Sequence, residues 1–226
     1  ICMNSKMKYT NMPVNVQKDE KKGLYYVQQE KKRLYFRKST PPKKIQKYYK
    51  ALSMEQDKRS PHHYFDSVKD VTGKVFVDVG CAEGYSSLEI VEEAKHIYLF
   101  EQDEQWLEAI RATFEPWQDK VTIVQKYVSD HNSSREQTLD DFFNNQTDEH
   151  LFLKMDIEGA ERHALAGCKN LFQNCQKLDF AICTYHLRDD EEVISAFLNK
   201  HNCTYINQKG FFRHRIRSVV MRGSKK

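Results

Sequence analysis

Long apolar runs are missing from this chain of 226 residues. No window approaches the ~18 apolar residues of a membrane span, and no basic-then-apolar opening resembles a secretory leader, so a cytoplasmic location is expected. Cysteine pairs are missing too. None of the six cysteines stands in a CxxC pair or at metal-ligand spacing. Cys81, Cys168 and Cys183 fall in segments that read as a turn, a helix and a strand, as small buried hydrophobes do, which fits a reducing compartment. No GxxxxGK[ST] occurs, which removes a P-loop, and no internal repeat is visible. Acidic residues are scarce at the start. Residues 1–60 carry 16 Lys and Arg against 5 Asp and Glu, and the remainder carries 20 against 27. The chain therefore reads as a basic extension over 1–60 on an acidic body over 61–226. Hydrophobic residues at 39% suffice for a packed core, while 30% charged residues imply a very polar surface.

From residue 70 onward the pattern alternates. Strands are predicted at 75–79, 96–101, 121–129 (one strand or two short ones), 151–157 and 178–186. Helices are predicted at 83–94, 104–114, 138–143, 159–172 and 189–200, from apolar residues at three-to-four spacing. Thr138 is a plausible N-cap. Residues 203–207 and 216–222 read as two strands joined only by a loop containing Gly210. A parallel crossover needs about a dozen residues, so one of these strands is antiparallel. The prediction is an α/β fold: a doubly wound, seven-stranded, mostly parallel sheet with a C-terminal antiparallel hairpin and a small basic N-terminal extension. Within the extension, 23–38 reads as a hairpin carrying Tyr25/Tyr26 and Tyr35/Phe36, and 45–56 as a short helix.

In such a sheet ligands sit outside the carboxyl ends of the strands, where Asp78, Glu101, Asp130, Asp156 and Glu158 fall. Gly80, Ala82 and Gly84 permit a sharp turn and close approach of a ligand to the backbone. Their spacing is not G-x-G-x-x-G, and Asp78 and Glu83 would repel a pyrophosphate. Two carboxylates suit a cationic ligand instead, such as a sulfonium carrying an amino group. Glu101 stands 21 positions past Gly80, where an acid accepts both hydroxyls of a ribose. An adenosyl nucleoside is the ligand these features predict.

The strings VDVGCAEGYSS, LFEQD, YVSD and TLDDFF, and above all KMDIEGAE followed by ALAG, resemble the FkbM-type branch of class I S-adenosylmethionine-dependent methyltransferases. That branch carries K-x-D-[IV]-E-G-x-E-x-x-x-L-x-G, met by residues 154–167. The resemblance covers about residues 60–222; Ala82 departs from the usual mid-turn glycine, and the basic arm lies outside. The resemblance implies a Rossmann-like fold with S-adenosyl-L-methionine as cofactor. It implies that Asp78, Gly80, Ala82, Glu83 and Gly84 hold the methionine part, that Glu101 binds the ribose, that Gln102 or Asp103 flanks the adenine, and that Ser129 and Asp130 meet the adenine edge. Asp156 would face the cofactor's amino group or the acceptor.

Methyl transfer is an in-line displacement, so alignment does most of the work, and a hydroxyl acceptor must also lose a proton to a carboxylate or histidine. Asp156 or His186 is the expected base, with Glu158 binding substrate or capping a helix. Glu158 and Glu161 can equally be read as acids that complement a helix dipole. Asp156, Glu158 and His186 have the ligand types for a divalent metal, but no spacing rule supports one and no metal is expected. His62 and His63 read either as a lid over the cofactor mouth, with Tyr64 and Phe65, or as a solvated linker.

The acceptor class implied by the resemblance is a hydroxyl of a sugar, glycan or secondary metabolite. The alternatives are an RNA methyltransferase using the basic aromatic arm and a non-catalytic S-adenosylmethionine-binding module. Strand four ends in KMDIEG rather than an NPPY-like loop, which speaks against RNA bases, and the intact cofactor residues favour an enzyme.

Overall fold

The computed structural model describes residues 8–144, 149–212 and 215–225. The extension forms a three-stranded antiparallel sheet of β1 (Val16–Asp19), β2 (Leu24–Gln29) and β3 (Lys32–Tyr35). The expected hairpin is present, with Tyr26 opposite Tyr35 and ring centroids 5.3 Å apart. Helix α1 (Pro42–Glu55) follows; it begins on a proline, which is tolerated there because that N–H has no helical partner in any case.

The body then runs β4 (Val75–Val79), α2 (Tyr85–Ile90), β5 (His96–Phe100), α3 (Glu104–Phe114), β6 (Val121–Val124), β7 (Tyr127–Val128), β8 (Glu136–Gln137), α4 (Leu139–Phe142) and β9 (His150–Met155). It ends with α5 (Glu161–Ala166), α6 (Lys169–Asn174), β10 (Lys177–Cys183), α7 (Asp190–Lys200), β11 (Thr204–Phe212) and β12 (Arg215–Lys225). Seven strands make the main sheet in the order β11-β12-β10-β9-β4-β5-β6. Its central pairings are parallel, and β12 is antiparallel to both β10 and β11. This is the doubly wound sheet with a reversed strand that the alternation predicts.

Several boundaries differ from expectation. Residues 121–129 form two strands, and β7 leaves the main sheet to pair with β8. The first helix of the body is only six residues long. The helix expected over 159–172 is two helices broken at Gly167, where an added Cβ would lie 2.0 Å from the carbonyl oxygen of Ser129. The backbone is pressed against the β7 exit there, and α5 stops. Gly210 lies within β11 rather than in a loop, because the hairpin strands run further out; the two residues joining them are outside the described set. Strand β10 ends at Cys183, which leaves His186 in the following loop. Thr138 caps α4 as expected, accepting from the Asp141 N–H at 3.2 Å.

Alternation along the buried strands divides the core between two faces. Phe76, Ile97, Leu99 and Ala181 join one cluster, and Val77, Val79, Leu153, Met155 and Ile182 the other. Helices α2 and α3 pack into the first cluster, and α4 to α7 into the second. The extension belongs to the first cluster through Leu24, Leu34, Phe36 and Ile45, all essentially fully buried. Burying each such side chain stabilises by roughly 1.5–3 kcal/mol, which holds a basic segment on the sheet more firmly than its ion pairs Lys22–Glu115 (2.7 Å) and Arg37–Asp103 (2.8 Å). Among the described residues, no helix is long and apolar enough to cross a membrane.

Candidate active site

The chain leaves β4 toward β5 on one side and reaches β9 on the other, so a crevice opens where β4 and β9 end. Gly80 adopts φ +78°, and a Cβ there would sit 2.2 Å from the Asp156 carbonyl oxygen. Only glycine lets the two strand ends come this close. Ala82 also lies in the left-handed region at φ +47°; its N–H donates to Glu101 Oε2 at 3.0 Å. The Asp103 N–H donates to Glu101 Oε1 at 2.8 Å. The Glu101 carboxylate is thereby fixed by two backbone donors, and it retains lone pairs for further donors such as the hydroxyls of a ribose.

A cavity of about 1010 Å³ opens over this turn, lined by Gly80, Ala82, Glu101, Gln102, Ser129, Asp130, Asp156 and Glu158 among the residues singled out in the sequence. Ligand sites commonly run ~300–1,000 Å³, so there is space for a nucleoside cofactor together with an acceptor. A glycine cradle, a fixed carboxylate at the β5 end and further acids at the rim suit a cationic adenosyl ligand.

Three predicted residues stand behind the cavity wall. Asp78 is 1% exposed; its Oδ1 lies 2.8 Å from Lys154 Nζ, and its Oδ2 accepts from Ser87 Oγ at 2.5 Å. The β4–β9 register places Asp78 opposite Lys154, and the same ammonium donates to the Gly80 carbonyl at 2.6 Å. Asp78 therefore braces the turn from beneath. Gly84 precedes α2, and a Cβ there would meet the Phe114 ring at 2.7 Å. Glu83 is buried and accepts from the Tyr48 hydroxyl at 2.9 Å.

Burial pushes the Glu83 carboxyl up to about 7. Its folded value lies above its unfolded one. Stability is therefore fully present below the ordinary glutamate range, falls as pH rises through about 7, and is lower by about 3 kcal/mol above that. Glu83→Gln should match the parent's melting temperature near pH 4.5 and exceed it at pH 8. Equal losses in parent and variant across that window would mean that Glu83 does not carry the titration.

At the β9 end of the cavity stands Asp156, which follows that strand. Its Oδ2 accepts from the Tyr64 hydroxyl at 2.6 Å, and its Oδ1 lies 3.4 Å from the Tyr185 hydroxyl and 3.5 Å from His186 Nε2. Burial raises its pKa, but the nearby Lys154 charge, then His62 and the Tyr64 hydrogen bond, outweigh that and hold it below the usual range. For His186, burial lowers the pKa, but the Glu161 carboxylate and then Asp156 and Glu158 overcome this and raise it. Glu158 takes φ +56°, with its side chain 92% exposed at the cavity rim. Glu161 is not a solvated helix-end acid: it is fully buried, accepts from the Ile157 N–H at 2.9 Å and lies 2.9 Å from His186 Nδ1.

The segment carrying His62 and His63 is neither a cover over the cavity nor a solvated linker. His63 is buried among Ser60, Asp66 and Arg222, and Tyr64 backs Asp156. The extension, by contrast, supplies cavity wall that the sequence reading did not assign: Phe36, Arg37, Lys44 and Tyr48. The Arg37 guanidinium lies 4.0 Å over the Trp106 ring, and Tyr48 stacks on the same ring at 24°. The signal available was the spacing of Ile45, Tyr48, Tyr49 and Leu52, which marks one face of a helix that must pack on something.

The sequence model of the methyltransferase FkbM domain matches residues 4–206. The match takes in the basic arm, which was expected to lie outside. No curated protein sequence matches the chain. Among solved structures, the chain is similar to the methyltransferase FkbM from Methylobacillus flagellatus KT, with 16% identity and a TM-score of 0.54 over 81% of this chain and 55% of that one. The chain thus spans little more than half the length of that relative. It is also similar to magnesium protoporphyrin IX methyltransferase from Synechocystis PCC 6803 with bound SAM, at 12% identity and a TM-score of 0.48 over 70% of this chain and 73% of that one.

Proposed function

The chain belongs to the FkbM methyltransferase family, and from that premise we propose that it is an S-adenosylmethionine-dependent O-methyltransferase acting on a hydroxyl of a small molecule or glycan. The bound cofactor supplies an electrophilic methyl group on a sulfonium. Glu101 holds the ribose, the Gly80–Gly84 turn lets the cofactor touch the backbone, and Ser129 and Asp130 border the adenine. The extension closes the wall beside them through Arg37, Tyr48 and Trp106.

The observation that carries the oxygen acceptor is the half-buried Asp156–His186 pair, 3.5 Å apart, with Asp156 on the cavity wall. A hydroxyl aligned on the methyl must lose its proton as the new bond forms, and this pair is the proton's destination. The arm offers little to RNA. Tyr26 and Tyr35 are buried in the core cluster and Arg33 lies over Tyr26 at 4.7 Å, so these groups do not form an open platform for stacking bases.

The test is calorimetric titration with S-adenosylhomocysteine, with NAD as control. Glu101→Ala should weaken binding by about 1.5–3 kcal/mol, the scale of a hydrogen-bonding charged group. No binding, or binding of NAD in its place, would remove the cofactor assignment and the activity with it.

A further inference from the structure

We propose that Asp156, Glu161 and His186 form a binding site for one divalent first-row transition-metal cation. One ligand atom from each lies within 4.8 Å of the other two. His186 Nδ1 stands 2.9 Å from Glu161 Oε1 and its Nε2 3.5 Å from Asp156 Oδ1, yet neither ring nitrogen is aligned for a hydrogen bond, and Glu161 Oε2 has no partner. The side chains of His186 and Glu161 are 9% and 0% exposed, so solvent does not make up for these missing bonds. Buried polar atoms without partners are rare in folded proteins and call for a reason. A cation supplies one.

The backbone is shaped for this grouping. Glu158 and Gly159, at φ +56° and +103°, fold the chain after β9 so that Glu161 comes back beside Asp156. His186 arrives from the loop after β10, the parallel neighbour of β9. Metal–ligand bonds of about 2.0–2.2 Å place adjacent ligand atoms roughly 3 Å apart and opposite ones roughly 4.3 Å apart, so small side-chain rotations suffice. Two carboxylates and one imidazole suit Mn²⁺, Fe²⁺ or Zn²⁺ better than Ca²⁺. The neighbouring group of His62, Asp156 and Cys183 is the weaker candidate, because the Tyr64 hydroxyl already engages Asp156 Oδ2.

The purpose of the ion rests on the hydroxyl-acceptor reading. Asp156 belongs both to the cluster and to the cavity wall, so an ion here borders the acceptor space. Coordinating the acceptor oxygen would make its proton easier to lose; with the ion bound, the proton would pass to Asp156 through its second oxygen, Oδ2, rather than to the ligated imidazole.

The site is tested on the full chain stripped with chelator and titrated with MnCl₂, with free Mn²⁺ followed by electron paramagnetic resonance. The expected result is one Mn²⁺ per chain, with binding at least about tenfold weaker in Glu161→Gln and in His186→Gln, and unchanged in Asp179→Asn, which alters a separate acid–histidine pair. Circular dichroism checks that each variant folds, and if one does not, the other decides. No binding at roughly millimolar Mn²⁺, or binding that survives both substitutions, overturns the site. S-adenosylhomocysteine binding measured on the same samples separates the two failures. If it binds and Mn²⁺ does not, this inference falls alone; if neither binds, the methyltransferase reading falls too.

Discussion

Lys154→Met is expected to lower folding stability by about 3–5 kcal/mol, because it leaves the Asp78 carboxylate buried without its counter-charge. Asp78 is 1% and Lys154 5% exposed, and no other cation is paired with Asp78 among the described residues. Burial lowers the Lys154 pKa, but Asp78 and then Asp156 overcome this and raise it, so the group is charged at neutral pH. The loss extends beyond one ion pair. The same ammonium donates to the Gly80 carbonyl and lies 5.3 Å over the Tyr64 ring, so it ties the glycine turn after β4 to the residue that backs Asp156. Chemical denaturation monitored by circular dichroism gives the number. The double variant Asp78→Leu/Lys154→Met should recover much of the stability, since a well-packed apolar pair can replace a buried ion pair, but it should not recover cofactor affinity. A single variant that costs less than about 1 kcal/mol would mean that water reaches Asp78 and that the pair is an ordinary one.

That pair also marks where sequence reading stops. Asp78 at a strand end was legible, and so was its nearness to a glycine turn; together they suggest a ligand group. What no single strand reveals is its neighbour across the sheet. The switch point sets β4 beside β9, and the register then pairs Asp78 with Lys154, which turns a presumed ligand into a brace. Glu101 needed no such knowledge to be singled out, because its distance along the chain from Gly80 already marks it, and it does line the cavity.

The break at Gly167 escaped for a different reason. Ala164, Leu165, Cys168, Leu171 and Phe172 are buried in one cluster on both sides of it, so the apolar rhythm runs on while the helix does not. The extension was legible as a hairpin and a helix, but its charge marked it only as a basic segment beside an acidic body. The buried apolar side chains that decide its placement, among them Leu24, Val27, Leu34, Phe36 and Ile45, are outnumbered by sixteen basic residues. Buried apolar area outweighs exposed charge in setting where such a segment lies.

His186→Gln is expected to lower the turnover number by about 10²–10⁴-fold while leaving S-adenosylhomocysteine binding within a factor of about two, the pattern of a group that acts in the transition state rather than on the cofactor. The histidine is absent from the cavity wall and borders the cavity through Asp156 and Glu158, 3.5 Å and 3.7 Å from its Nε2. Glu158→Gln offers the contrast. Its side chain is 92% exposed at the rim, so its loss should raise KM for the acceptor and leave turnover nearly intact. Both are measured as release of S-adenosylhomocysteine, with whichever sugar or small-molecule hydroxyl from a screened panel supports turnover. If His186→Gln retains both turnover and cofactor binding, the acceptor's proton does not leave through this cluster. An acceptor that needs no base, such as a neutral amine or a thiolate, would then displace the hydroxyl, while the cofactor turn at Gly80 and the family assignment would stand.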